Sequence, residues 1–144
     1  MPTTIDIPVP DLTGTLAVVT GATDGVGLEI AARRARAGAE IVMPARTLEK
    51  GDAAAARIRE GAPGARVHVH PLDLASLGSV AGFADELSAA GRPIDILINN
   101  AGIMSPPMRQ LSADGFELQL ATNHLGHFAL VGRLLPLLIA GRAR

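Results

Sequence analysis

An apolar run followed by a glycine-rich turn and a helix-like segment most constrains the fold of this chain. The run, residues 16–19, is short, uninterrupted and partly β-branched, as is typical of a strand buried on both faces of a parallel sheet. The turn that follows reads Thr20-Gly21-Ala22-Thr23-Asp24-Gly25-Val26-Gly27, and residues 28–37 predict a helix. A strand, a glycine turn and a helix start together aim unpaired backbone N–H groups and the positive end of a helix dipole at one point. This arrangement favours a bound pyrophosphate.

The three glycines of the turn serve geometry rather than chemistry. Gly21 permits a sharp turn off the strand, Gly25 lets the main chain approach a phosphate, and Gly27 lets the helix pack closely on the sheet. The spacing is G-x-x-x-G-x-G, and a glycine triplet alone is a weak signal. The alternative is an ordinary glycine-rich loop between a strand and a helix, which the rest of the chain makes less attractive.

Strand-like and helix-like segments alternate along the chain after the first helix. Further strands are predicted at residues 40–43, 67–70 and 94–98, and further helices at residues 48–60 and 77–89. Such alternation implies a parallel sheet covered by helices on both faces, which is a doubly wound α/β fold. At 144 residues the chain suits one domain, and we expect residues 1–14 to form an irregular entry segment.

The last third of the chain predicts one long apolar helix. Residues 112–115 could begin a helical stretch, and apolar residues recur at helical spacing from Leu118 to Leu138. Pro136 should bend or locally disrupt this helix. The most apolar part, residues 128–140, also contains Arg133 and is too short to cross a bilayer, so we expect no membrane span.

Composition excludes several classes of function. The net charge is -1 with both signs interspersed, so we expect no nucleic-acid partner. The chain has no cysteine, which excludes disulfides and thiolate metal sites and fits a reducing compartment. Residues 1–6 lack the basic and apolar regions of a secretory signal, so we expect a cytoplasmic protein.

Two pairs of histidines raise the question of a metal site. His124 and His127 could share one helical face, and His68 and His70 share one face of a strand. Neither pair has a third ligand at convincing spacing. Packing or hydrogen bonding is therefore the better interpretation, and we assign no metal.

Three further motifs follow the glycine turn in a fixed order. They are Leu72-Asp73-Leu74, Asn99-Asn100-Ala101-Gly102 and Asn123-His124-Leu125-Gly126-His127-Phe128. Together with the glycine turn they resemble the short-chain dehydrogenase/reductase family over nearly the whole chain. The third motif and residues 45–51 most resemble its retinol dehydrogenase-like branch. The resemblance implies a Rossmann-like sheet and hydride transfer between a nicotinamide coenzyme and a carbonyl or alcohol substrate.

The resemblance also implies which residues hold the coenzyme. Asp73 would hydrogen-bond the adenine, and Leu74 would contact the same region through its backbone. Alone, Asp73 could equally be a turn carboxylate, and the two asparagines could belong to a loop that caps a strand. In the motif after the fourth strand, Asn100, Ala101 and Gly102 would lie against the nicotinamide-side ribose. The remaining contacts would come from the glycine turn, namely Gly21, Asp24, Gly25, Val26 and Gly27.

The choice of coenzyme depends on the end of the second strand, where an acidic residue would receive the ribose 2′-hydroxyl of NAD. Ala45 occupies that position and Arg46 follows it. A guanidinium can pair with a 2′-phosphate in a forked geometry, so NADP is favoured over NAD. Asp24 is a counterargument, because many NADP-using relatives have a basic residue there. The alternative for Arg46 is a solvated charge before a helix.

The acid-base residues of the family are incomplete in this sequence. Asn123 resembles the family's catalytic asparagine, which supports a water in the proton relay, although it could also be a helix-start or buried-helix amide. The family uses a tyrosine, whose pKa a nearby lysine lowers, and a serine; this chain has no tyrosine, and Lys50 is its one lysine. By resemblance, residues 1–144 form a partial domain truncated after the fourth strand and the following helix. We expect this cofactor-binding half to be inactive alone.

The alternative function for this chain is a non-catalytic nucleotide-binding or interaction module.

The interpretation as a partial domain also has consequences for partners. The fourth strand would lack a neighbour on one side, and the apolar helix from Asn123 onward resembles a family segment used in subunit association. We expect this helix to pack against either a second copy of the chain, which would give a homo-oligomer, or the missing half of the same subunit.

Overall fold

The computed structural model describes residues 7–142, which form a four-stranded parallel sheet with helices on both faces. The strand order is β3-β2-β1-β4. The strands are β1 (Leu16–Val19), β2 (Glu40–Ala45), β3 (Val67–Pro71) and β4 (Ile96–Ile98). The first three helices are α1 (Gly25–Arg36), α2 (Leu48–Gly61) and α3 (Leu77–Ala90). The predicted doubly wound Rossmann-like fold is confirmed.

Alternate residues of the central strand β1 point to two separate apolar cores. Ala17 and Val19 pack with α1 and α2 on one face of the sheet. Leu16 and Val18 pack with α3 and the C-terminal helix on the other face. Because both faces are covered, the strand reads as a continuous apolar run rather than as an alternating pattern.

The predicted ends of three elements were wrong by two or three residues, and one of these is β2, which continues to Ala45 instead of ending at residue 43. Helix α1 begins at Gly25 instead of residue 28, because the helical hydrogen bonds already start with Leu28 N–H donating to the Asp24 carbonyl. Strand β4 begins at Ile96 instead of residue 94. The N–H of Ile94 donates to the Leu137 carbonyl, 3.1 Å away, and therefore binds the C-terminal helix instead of the sheet.

The C-terminal helix begins later than predicted and contains an irregular turn. Residues 112–115 form a turn, and α4 (Leu118–Leu120) starts where the Glu117 carboxylate accepts hydrogen bonds from Gln119 N–H and Leu120 N–H. A π-helical segment (Ala121–Leu125) and α5 (Gly126–Gly141) continue the helix. The assigned α5 runs without a break through Pro136.

The complete helix Leu118–Gly141 has 24 residues, which is long and apolar enough to cross a membrane by length and composition. The apolar helix is therefore longer than the stretch 128–140 from which we expected no membrane span. One face of the helix buries Leu130, Leu134 and Leu138 in the core. A core helix of a soluble protein passes the same test, so this helix is weak support for a membrane span.

The amino end of β2 carries a buried carboxylate that lies far along the strand from the glycine turn. Glu40 is 5% exposed and accepts hydrogen bonds from Arg92 Nη1 at 2.8 Å and from His68 Nε2 at 2.7 Å. Arg66 Nη2 lies 2.9 Å from its other carboxylate oxygen. The Arg92 hydrogen bond is the main reason why the pKa of Glu40 lies below its usual value.

Candidate functional site

The carboxyl ends of all four strands meet at one cavity of about 390 Å³. Its walls come from the glycine turn after β1, from residues 46 and 47 after β2, from Asp73 after β3 and from Asn100 after β4. The strand order places β1 and β4 on opposite sides of the point where the chain reverses its direction across the sheet. Ligands of open α/β sheets bind at such a point. The volume is that of a ligand pocket.

Most residues predicted to bind the coenzyme line this cavity. Gly25 lies between lining residues, and Asn123 lies outside the lining. The predicted residues that line it are Gly21, Asp24, Val26, Gly27, Arg46, Asp73, Leu74, Asn100, Ala101 and Gly102.

The glycine turn has the backbone geometry that its spacing predicts. Gly21 has a φ of +64°, and a Cβ there would lie 2.7 Å from Ala101 Cα. Gly25 has a φ of +52° and faces open space. A Cβ on Gly27 would lie 2.0 Å from the Gly21 carbonyl oxygen and 2.4 Å from Asn100 Nδ2. Gly27 therefore permits close packing against the turn itself and the β4 loop, which is a more specific contact than packing on the sheet.

Helix α1 points its amino end into the cavity. Its first N–H groups have no partner within the helix. The Asp24 side chain occupies the position before the helix but does not cap these groups. They are free to donate to an anion, and the open space at Gly25 leaves room for one. The residues present thus fit the diphosphate of a dinucleotide.

Hydrogen bonds join the β4 loop to the glycine turn. The Asn100 side chain donates from Nδ2 to the carbonyls of Thr20 and Gly21, at 3.2 and 3.1 Å. The Thr20 hydroxyl oxygen accepts from Asn100 N–H and Ala101 N–H, both at 3.0 Å. The asparagine amide predicted to face a ribose is therefore occupied in holding the two loops together.

The segment after β3 is built as a capped turn. Asp73 Oδ1 accepts a hydrogen bond from Ala75 N–H at 2.9 Å, and Asp73 N–H donates to the Ser79 hydroxyl. Asp73 Oδ1 therefore has a structural role in the turn, as well as a place in the cavity lining. The Leu74 side chain is buried in the core, and its carbonyl approaches α5 so closely that a Cβ on Gly126 would lie 2.2 Å from it.

Two cations line the cavity at the end of β2. Arg46 and Lys50 are exposed, and neither side chain hydrogen-bonds or ion-pairs with another of residues 7–142. Thr47 precedes α2 and does not cap it with its side chain. The helix start and both cations therefore present positive charge to the same part of the cavity.

The side chain of Asn123 forms two hydrogen bonds with the backbone of the β4 loop. Its Oδ1 accepts from Ile103 N–H and its Nδ2 donates to the Ile103 carbonyl, both at 2.8 Å. The residue lies in the π-helical segment, a type of irregular turn that often marks functional sites. The structure thus gives Asn123 a positioning contact, and its catalytic role stays a prediction.

The histidines have partners other than a metal. His127 Nε2 lies 2.9 Å from the Thr20 hydroxyl, while His68 and His70 contact Glu40 and Glu86. These contacts agree with the interpretation that the histidines pack or form hydrogen bonds. Residues 7–142 contain no group of three or more histidine, cysteine or acidic side chains that could hold a metal ion.

Several lining residues were not assigned from the sequence. Since they flank the ends of the predicted strands, the edge rule for parallel sheets could have found most of them. They include Thr20, Thr23, Thr47, Lys50, Ile103 and Thr122.

Comparisons with known proteins agree with this geometry. The family model for short chain dehydrogenase matches residues 15–144. The chain is 45% identical to mouse polyprenol dehydrogenase over 134 residues, which are 93% of this chain and 40% of that protein. It is 44% identical to human retinol dehydrogenase 13 over 127 residues, which are 88% of this chain and 38% of that protein. The chain thus spans about two fifths of these curated relatives.

A solved structure of a metagenomic short-chain oxidoreductase in complex with NADP is similar as well. The TM-score is 0.77 at 33% sequence identity, and the match covers 92% of this chain and 59% of that one. Fold, cavity and sequence therefore lead to one assignment. The chain belongs to the short-chain dehydrogenase family and is retinol dehydrogenase-like within it.

Proposed function

We propose that this chain is the coenzyme-binding part of an NADP-dependent oxidoreductase. The bound coenzyme would exchange a hydride with a carbonyl or alcohol substrate. The observation that carries the proposal is the cavity at the strand ends, where the α1 start, the β4 loop and the cations after β2 face one space. The chain's residues would bind and orient the two halves of the dinucleotide at this edge of the sheet.

The preference for NADP is supported by the charge after β2. Ala45 is buried and carries no carboxylate that would compete for a ribose hydroxyl. Arg46 offers a planar pair of donors for a phosphate, and Lys50 adds a second positive charge to the same wall. Both cations lack protein partners among residues 7–142, so neither ion pair nor hydrogen bond has to break when a phosphate binds.

Titration with NADPH and NADH tests this preference. Replacing Arg46 with alanine should weaken NADPH binding by about tenfold, or ~1.4 kcal/mol, and leave NADH binding nearly unchanged. Lys50→Ala should act in the same direction with a smaller effect, because an ammonium is a point charge on a flexible stem.

Arg57→Ala is the matched control for charge. This arginine lies on α2, is exposed and does not line the cavity. Its loss should change both affinities equally. The NADP proposal fails if Arg46→Ala leaves the ratio of the two affinities at the wild-type value.

We further propose that the 144-residue chain does not turn over substrate by itself. It contains no tyrosine, and its one lysine lies at the β2 side of the cavity. An assay of NADPH oxidation with short and long aldehydes should show no rate above that of the coenzyme in buffer. Robust turnover would overturn this proposal.

The coding sequence distinguishes the oxidoreductase from a non-catalytic nucleotide-binding module. A reading frame that continues past Arg144 into a strand, a serine and a Tyr-x-x-x-Lys motif would support the enzyme. A stop codon there, together with coenzyme binding by the chain, would support the module.

Self-association and a cytoplasmic location stay predictions. On α5, the exposed side chains of Phe128, Leu135 and Ile139 provide an apolar stripe that supports the first of them. Light scattering after gel filtration should show a dimer or a larger species at micromolar concentration, and Phe128→Glu should return it to the monomer.

A further inference from the structure

One buried pair of polar side chains lies behind the wall of the cavity. Among residues 7–142, the buried polar or charged side chains are those of Thr20, Glu40 and His127. Thr20 and His127 are 107 positions apart in sequence, and their Oγ1 and Nε2 atoms lie 2.9 Å apart. His127 does not line the cavity, but it contacts Thr20, which does, and the carbonyl of Asn123.

The hydroxyl of Thr20 has a fixed set of hydrogen-bonding capacities. A hydroxyl has two lone pairs and one hydrogen. Its oxygen already accepts from Asn100 N–H and Ala101 N–H, which uses both lone pairs. Its hydrogen can go to His127 Nε2 at 2.9 Å or to the Ile98 carbonyl at 3.4 Å. The shorter contact is the better hydrogen bond, and the Ile98 carbonyl already accepts from Thr20 N–H.

The other ring nitrogen of His127 determines which tautomer fits. Nδ1 lies 3.3 Å from the Asn123 carbonyl oxygen. A carbonyl can only accept, so Nδ1 must carry the hydrogen. In a neutral ring, Nε2 is then an acceptor, which is what the Thr20 hydroxyl requires. The contacts of both ring nitrogens are therefore satisfied by one neutral tautomer, which carries its hydrogen on Nδ1.

Burial of the ring favours this neutral state. It lowers the pKa of His127 below 6.5, and the Asn123 carbonyl opposes that change. No charged side chain contributes to the shift. The titratable groups on elements packed against α5 are Asp85 and Glu86 of α3 and His124 of the π-helical segment, all of them exposed, while β4 carries none.

We infer that His127 is a positioning residue that sets the hydrogen bonds of Thr20 and thereby fixes the β4 loop against the glycine turn. Its Nε2 accepts the Thr20 hydrogen, so both lone pairs of that oxygen stay available for Asn100 and Ala101. The effect on coenzyme affinity rests on the proposed function. The hydrogen-bonding arrangement itself does not.

Protonation of His127 should disrupt the hydrogen bonds that the Thr20 hydroxyl makes with His127 and the β4 loop. A protonated ring would donate at Nε2 to an oxygen whose lone pairs are both in use. Asn100 N–H also donates to the Ile98 carbonyl at 3.1 Å, so Ala101 N–H is the loop amide that would lose its acceptor. Since the pKa of the folded-state ring is lowered, the arrangement is complete at neutral pH and is lost as the solution is acidified below pH 6.5.

Nitrogen-15 NMR of the histidine rings tests the tautomer directly on the wild-type chain. The neutral His127 ring should show its hydrogen on Nδ1, the minor tautomer of histidine in water. A ring with the hydrogen on Nε2, or a ring that is protonated at neutral pH, would overturn the inference. This measurement depends on neither coenzyme binding nor a variant that folds.

Substitutions test the link to the loop. His127→Leu removes the acceptor and should weaken NADPH binding by about tenfold, while His127→Gln, whose amide oxygen can accept from Thr20, should restore most of the affinity. His124→Leu is the control, because His124 is exposed on the same helix. In a Thr20→Val background, His127→Leu should have a much smaller effect than in the wild type, because the contact that remains to be lost is the 3.3 Å one with the Asn123 carbonyl. Equal affinities for the Leu and Gln variants, or additive effects of Thr20→Val and His127→Leu, would contradict the inference.

Failure of the proposed function gives a different result. If the wild-type chain binds neither NADPH nor NADH, the proposed function fails. The ring tautomer and the coupling of Thr20→Val with His127→Leu in urea unfolding would still decide the inference.

Discussion

Replacing Gly27 with alanine would place a methyl group where the glycine turn and the β4 loop meet. The new Cβ would lie 2.0 Å from the Gly21 carbonyl oxygen and 2.4 Å from Asn100 Nδ2. Ordinary contact begins near 3.4 Å, so the backbone must open by about 1.4 Å. Overpacking of this kind costs ~1–3 kcal/mol. Because the displaced atoms belong to the wall of the cavity, coenzyme affinity should also fall by at least about tenfold.

The control for this variant is Gly82→Ala. Gly82 lies on the exposed side of α3, and a Cβ there would meet nothing within 4 Å. Alanine should therefore stabilise the chain, by up to ~1 kcal/mol, through its higher helix propensity. The sequence has neither tryptophan nor tyrosine, so urea unfolding is followed by far-UV circular dichroism and binding by NADPH fluorescence. A Gly27→Ala variant that matches the wild-type stability and affinity would refute the close contact.

Three further substitutions test separate parts of the structure. Gly126→Ala should lower the free energy of unfolding by ~1–3 kcal/mol, because its Cβ would lie 2.2 Å from the Leu74 carbonyl oxygen; an unchanged urea midpoint would contradict that contact. The lowered pKa of Glu40 stabilises the folded chain above pH 4.5, and this contribution is lost as the pH falls through the folded-state pKa. Glu40→Gln leaves Arg92 without its carboxylate. The free energy of unfolding of this variant should therefore fall less steeply than that of the wild type when the pH is lowered. Asp24→Asn should strengthen coenzyme binding about twofold at low salt and less at high salt, and equal gains at both would argue against an electrostatic cause.

Local sequence patterns were sufficient to predict the sheet and its helices. The short apolar runs and the glycine turn are recognised from neighbouring residues. The parallel arrangement of the strands follows from the alternation of strand-like and helix-like segments. The errors at the ends of elements had two causes. Ile94 pairs with α5 instead of continuing β4, which is a tertiary contact that local propensity does not show. The last helix starts at a local cap, because the Glu117 carboxylate accepts from Gln119 N–H and Leu120 N–H, whereas the sequence pattern favoured a start at residues 112–115.

Only part of the site could be predicted, because some of its contacts join residues that are distant in sequence. The residues of the glycine turn and Arg46 follow strand ends directly, so their place in the cavity could be read from the sequence. The contact of Thr20 with His127 joins elements 107 positions apart and depends on side-chain directions in the folded chain. The pairing of Asn123 with the backbone of Ile103 depends on the π-helical turn, which has no simple sequence pattern.

The most direct test of the account is to map NADPH binding on the backbone amides by NMR. The central claim is that the main-chain N–H groups between β1 and α1 receive the diphosphate of the coenzyme. We predict the largest amide shifts at Gly25, Val26 and Gly27, with smaller ones at Arg46 and Ala101. Saturable binding that leaves the amides of residues 21–27 unmoved, or no binding at millimolar coenzyme, would contradict the claim.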